Sequence, residues 1–179
     1  MMKDFLELCR TRQSCRNFDG RPVEREKLAK CVEAARLAPS GCNAQPWSFV
    51  VVDDPKLVPE VAKCAQVMEG VNTFTDKAGA FIVVLEEHAV LLPGIRRMID
   101  SQYFAKHDVG AATVHLCLEA ADQGLGSCIM GMFDREKLSS LLDIPIEKRF
   151  AVVIALGYPA EDKIREKRRK PLEEIVRYV

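Results

Sequence analysis

Four short apolar runs constrain this chain more than anything else in it. Ser48-Phe49-Val50-Val51-Val52, Ala80 to Leu85, Ser127 to Met132 and Phe150 to Leu156 are each strand-sized. The first is apolar on both faces, which predicts a central strand covered by helices. Between the runs the period changes. Leu28, Cys31, Val32, Ala35 and Ala38 keep the three-and-four spacing of one buried helical face over 24–38. Asp54-Pro55 reads as a helix cap with proline at the first position, placing Leu57, Val61, Cys64 and Ala65 inward. A long helix is predicted over 107–123, where Asp108, His115, Glu119 and Asp122 share one narrow stripe and the rest is small or apolar. That pattern predicts burial almost all round, as the central helix of the domain, the core of a dimer interface, or both. It leaves His115 on the polar stripe without a catalytic role. Asp134 caps a further helix to Leu142, and Asp4 to Arg10 reads as a short one. No repeat, low-complexity tract or linker divides the 179 residues, so 1–179 is expected to be a single domain.

Charge excludes several classes. Lys plus Arg and Asp plus Glu both number 26, so no global field steers the chain to nucleic acid or a membrane surface. Met1-Met2-Lys3-Asp4-Phe5 lacks the apolar core of a signal peptide, and no run is long enough to span a bilayer. The seven cysteines include no C-x-x-C pair, and His88, His107 and His115 do not join them in zinc-like spacing. Free thiols, no metal and a cytoplasmic location are expected. Most cysteines should be small buried hydrophobes. Cys42 and Cys128 stand out by their neighbours, but neither has an activating base beside it in sequence.

Polar chemistry gathers in a few stretches. Pro39-Ser40-Gly41-Cys42-Asn43-Ala44-Gln45-Pro46-Trp47 joins a helix to a strand. Its amides donate and accept at once, and its tryptophan offers a flat surface, so it could hold a planar, polar-edged ligand. The same residues would also make an ordinary turn-rich connector. Around Arg12-Gln13-Ser14-Cys15-Arg16, alternation puts Arg12, Ser14 and Arg16 on one side of an extended segment. Two guanidinium forks flanking a hydroxyl suit a phosphate; a solvated basic edge is the alternative. Gly124-Leu125-Gly126 stops the long helix, and its glycines would let backbone approach a flat ligand. Lys163, Arg165, Lys167, Arg168, Arg169 and Lys170 form a basic run, followed by an apolar segment that reads as docked. Segment 86–105, with Pro93-Gly94, reads as a surface excursion or lid.

Three separated stretches together resemble the FMN-dependent nitroreductases. They are Arg12-x-Ser14-x-Arg16-x-Phe18, the loop Pro39-Ser40-x-x-Asn43-x-Gln45-Pro46-Trp47, and Gly124 to Cys128 followed by Gly157-Tyr158-Pro159 and Arg169-Lys170-Pro171-Leu172-Glu173-Glu174. The ending is similar to the short bacterial and archaeal branch. The resemblance implies an α+β sandwich with a central, mostly antiparallel sheet flanked by helices, built as an intertwined homodimer with FMN at the subunit interface. It implies that Arg12, Gln13, Ser14 and Arg16 hold the phosphate and ribityl end, with Lys167 or Arg169 returning from the tail. Pro39, Ser40, Gly41, Asn43 and Gln45 would contact the flavin, Ser40 and Asn43 from the partner subunit. Ile129, Met130 and Gly131 would bring backbone near the ring, and Asn72 is the counterpart of a flavin-contacting amide.

The implied activity is ping-pong hydride transfer from NAD(P)H to nitro compounds, quinones or similar acceptors, with the chemistry on the flavin and no catalytic side chain. A specialised flavin reductase, a flavin-fragmenting relative and a non-catalytic flavin-binding protein are the alternatives. The chain departs from the family pattern at Gly41, where a second serine is usual, and at Ile129, where an aromatic is frequent.

Overall fold

The computed structural model describes residues 4–97 and 100–179. Met1 to Lys3 of the N-terminal reading and residues 98 and 99 of the 86–105 segment lie outside the described residues. The elements run α1 Phe5–Thr11, α2 Arg25–Arg36, β1 Trp47–Val52, α3 Val58–Ala65, β2 Ala80–Glu86, α4 Pro93–Arg96, α5 Ser101–Asp122, β3 Gly126–Met130, α6 Arg135–Leu142, β4 Arg149–Gly157 and α7 Leu172–Ile175. All four predicted strands form one sheet in the order β1-β2-β4-β3, and every neighbouring pair is antiparallel.

Each sheet face buries its own core, as two-sided apolar strands require. Phe81, Val83, Leu85, Cys128, Met130, Val153 and Ala155 pack toward α3 and α6. Ile82, Val84, Ile154 and Leu156 pack toward Leu28, Cys31 and Ala35 of α2 and Ala112, Leu116 and Ala120 of α5. β2 is buried along its whole length.

Expectations for three elements need correction. The run 48–52 is an edge strand of this sheet, not a central one: among the described residues β1 pairs only with β2, and Val51 is exposed on it. Two-faced hydrophobicity there reflects partial cover, not a neighbour on each side. The long helix begins at Ser101, six residues before His107, because the Asp100 carboxylate accepts from the Gln102 N–H at 3.0 Å and caps it. Within one chain that helix buries one face. Ala105, Val109, Ala112, Leu116 and Ala120 are buried, while Tyr103, His107, Gly110, Val114 and His115 face outward. α3 likewise starts at Val58, three residues beyond Pro55, after a turn closed by Asp54. Among the described residues, no helix is long and apolar enough to cross a membrane.

Candidate functional site

The extended segment after α1 lies beside the free edge of β3. Ser14 pairs with Ser127 in a parallel bridge, the Cys15 N–H donates to the Ser127 carbonyl at 2.9 Å, and Phe18 bridges to Pro159. Cys15 and Phe18 point inward and are buried. Their approach explains two glycines. A Cβ on Gly126 would sit 2.6 Å from the Cys15 Cβ, and one on Gly157 would sit 2.9 Å from the Phe18 ring. Gly126 therefore admits a neighbouring segment of the chain where a flat ligand was expected. With Cys15 turned in, Arg16 is exposed and Arg12 and Ser14 are half-buried.

The tail completes the arrangement. Residues 163–171 carry no regular structure and run along 12–17. The Ala160 N–H donates to the Asn17 carbonyl at 3.0 Å, and the Asn17 amide donates to Glu161 at 2.9 Å. The Gln13 amide nitrogen donates to the Lys163 carbonyl at 2.8 Å, while its oxygen accepts from the Arg165 backbone N–H at 3.1 Å and the Arg165 guanidinium at 3.2 Å. The Arg165 guanidinium also donates to the Ser14 carbonyl, and Lys167 Nζ donates to the Arg12 carbonyl.

Between the two strips lies a groove of about 320 Å³, lined by Arg12, Gln13, Ser14, Arg16 and residues 165–169. The ion pairs among the described residues involve none of Arg12, Arg16, Arg165, Lys167, Arg168 or Arg169. Burial pushes the Lys167 ammonium below its usual value, and repulsion from Arg12, Arg169 and Arg165 pushes it the same way. Glu166 also lines the groove but forms none of these ion pairs, and the crowded cations make a receptor for a multiply charged anion. Arg165 went unassigned in the sequence reading. Its signal was present, since Lys163, Arg165, Lys167 and Arg169 recur at period two on an extended segment.

The remaining predicted residues lie elsewhere. Pro39, Ser40, Gly41, Asn43 and Gln45 do not line the groove. Their loop is pinned to α5, where the Asp108 carboxylate accepts from the Gly41 N–H at 3.1 Å. Ser40 Oγ accepts from the Gln45 N–H at 3.0 Å. Cys42, Asn43 and Gln45 hold left-handed backbone, with φ of 54°, 54° and 47°. Such conformations are costly outside glycine, and they leave the Asn43 and Gln45 side chains exposed. Ile129 lines a different hollow beside Lys106, Gly110, Val114 and Phe150; Met130 is buried, and a Cβ on Gly131 would meet open space. The Asn72 amide donates to the Ala65 carbonyl at 3.0 Å, which makes it a turn-holding residue in this chain.

The cysteines are all free. Cys15, Cys31, Cys64, Cys117 and Cys128 are buried, and Cys42 is exposed. Burial is the main influence raising the Cys128 thiol, which disfavours the reactive thiolate.

A model of the nitroreductase family matches residues 9–158. This chain belongs to the nitroreductase family. A protein of Archaeoglobus fulgidus whose name pairs NADH dehydrogenase with NAD(P)H nitroreductase is 31% identical over 166 residues, covering 90% of this chain and 89% of its own. An iodotyrosine deiodinase of Thermotoga neapolitana is 29% identical over 190 residues, covering 99% and 98%. A protein of Exiguobacterium sibiricum, solved in complex with FMN, shares the fold at a TM-score of 0.84, covering 100% of this chain and 99% of its own at 20% identity.

Proposed function

We propose that this nitroreductase-family protein is an FMN-dependent oxidoreductase that uses NAD(P)H to reduce electron-poor acceptors such as nitro compounds and quinones. One observation carries the reading: a groove where cations from both chain ends converge with no carboxylate paired to them. That donor set fits the phosphate of FMN. Arg12, Ser14 and Arg16, with Arg165, Lys167 and Arg169, would hold it. Ser40, Asn43 and Gln45 of a second copy would supply amide and hydroxyl contacts, since their own chain leaves them away from the groove. The exposed face of α5 is available for that second copy. Asn72 stays outside this assignment, because its amide is spent on Ala65.

Bound there, FMN would supply the redox chemistry that links NAD(P)H to an acceptor. The chain's own part is binding and electrostatics. Guanidinium groups hold an anion bidentately and favour any bound ligand that gains negative charge. No side chain of the groove is asked to move a proton. The free thiols suit a reducing, cytoplasmic setting.

The visible spectrum of the purified protein, before and after anaerobic NADH or NADPH, tests this. A flavin spectrum that bleaches with either reductant supports the reading. A flavin that stays oxidised points to a non-catalytic binding role, and a protein that takes up no FMN overturns the assignment. Arg16→Ala should weaken FMN binding by about tenfold, the worth of one charge-assisted hydrogen bond. The Thermotoga relative favours a second acceptor class, halogenated aromatics, and release of halide from an iodotyrosine under reducing conditions would select it.

A further inference from the structure

Gln13 lies in the groove, yet both ends of its amide are engaged by the tail. The nitrogen donates to the Lys163 carbonyl; the oxygen accepts from the Arg165 backbone and guanidinium. Gln13 and Asn17 are the side chains of the 12–17 strip that grip the tail, Asn17 at Glu161; the tail's other bonds to that strip run to the carbonyls of Arg12, Ser14 and Asn17. The tail it grips begins beyond residue 158, where the family match ends.

The electrostatics of this joint are unusual. Arg12, Arg16, Arg165, Lys167 and Arg169 repel one another when drawn together; burial first, then Arg12, Arg169 and Arg165, weaken the hold of Lys167 on its proton. Something must hold the tail against that repulsion. An acidic side chain at position 13 would do so, but it would neutralise Arg165 and cancel part of the field. A carboxamide supplies both a donor and an acceptor with no net charge. It fastens the tail and leaves the cations free for an anion.

From this geometry we infer that Gln13 is a positioning residue. Its neutral amide fastens segment 163–169 to the N-terminal strip so that the tail cations meet the ligand phosphate, and phosphate binding in turn holds the tail closed. The inference rests on the FMN reading above. It assigns Gln13 an action through Arg165 and Lys167 in place of a direct flavin contact.

The test compares FMN with riboflavin, which lacks the phosphate, on the full-length flavin-free protein and on Gln13→Ala and Gln13→Glu. Trypsin cleavage within 163–170 reads the tail. In the unsubstituted protein, FMN and inorganic phosphate should slow tail cleavage and riboflavin should not. Gln13→Ala should lose about tenfold in FMN affinity, keep its riboflavin affinity and expose the tail. Gln13→Glu should keep the tail protected yet still bind FMN more weakly, because the added carboxylate competes with the phosphate for Arg165. That split between protection and affinity is one that a merely structural residue would not produce.

Unchanged FMN affinity in Gln13→Ala overturns the inference. So does an equal loss of FMN and riboflavin, which marks general damage. If the unsubstituted protein binds neither flavin, the functional reading fails, and inorganic phosphate still decides Gln13. Protection that is lost in Gln13→Ala upholds its role as the fastener; protection retained there overturns it.

Discussion

The basic groove and the 39–47 loop are both polar, and both were read from sequence as ligand-holding, but they are built on opposite terms. The groove is electrostatically strained and conformationally relaxed: ordinary extended backbone carries a crowd of like charges. The loop is the reverse. It carries little charge, yet three non-glycine residues sit in left-handed conformations and one carboxylate on α5 pins it. A ligand would relieve the strain in the first by neutralising it. In the second, the strain is fixed in advance: the Asn43 and Gln45 side chains are exposed, and the Gln45 amide nitrogen donates to the Asn43 carbonyl at 3.2 Å.

Substitutions can break or sharpen that contrast, and the largest effect is expected under the groove. Gly126→Ala would drive a methyl into the Cys15 side chain. It should cost about 1–3 kcal/mol in chemical denaturation and loosen the 12–16 strip from β3, lowering phosphate affinity with it. On the loop side, Asp108→Ala orphans the Gly41 N–H. About 1 kcal/mol of stability should go, with turnover falling while inorganic phosphate binds as before. A matching loss of phosphate affinity would show that the two regions are not independent. Cys42→Gly should stabilise by about 0.5 kcal/mol, the left-handed penalty it removes exceeding the glycine entropy it adds. A destabilised variant would mean that the exposed thiol makes a contact worth more than the strain.

The smallest effect is a pH dependence. Lys167 titrates below the ordinary lysine value, so phosphate affinity should fall as alkaline pH removes that charge, and Lys167→Arg should flatten the profile. In the ligand-free protein the sign for stability is opposite. The unfolded chain binds this proton more tightly, so stability rises as pH climbs between the folded and ordinary values.

Much of this was legible in the sequence because it rests on local patterns. Period-two arginines, strand-sized apolar runs and the Asp134 cap each act within a few residues. What escaped depends on neighbours far along the chain. The run 48–52 looks the same whether one strand or two flank it, so its edge position was hidden. The glycine at 126 suggested ligand approach, and only the return of Cys15 beside β3 reveals what fills the space. The outer face of α5 carried too few charges to be recognised as exposed. The start at Asp100 was masked by Pro93-Gly94, which reads as the middle of a loop.

The hydrogen bond from Lys167 to Arg12 spans 155 positions of sequence. During synthesis the two strips therefore cannot meet until β4 and the segment after it have been made. The central strands and their helices have their partners earlier; the groove has its second wall only after β4 is in place and the following segment has emerged. The proposed phosphate site thus draws on residues that lie on either side of the whole sheet in sequence. A nascent chain that has buried its core but has not yet made residues 165–169 would present only the Arg12, Ser14 and Arg16 wall of the proposed phosphate site.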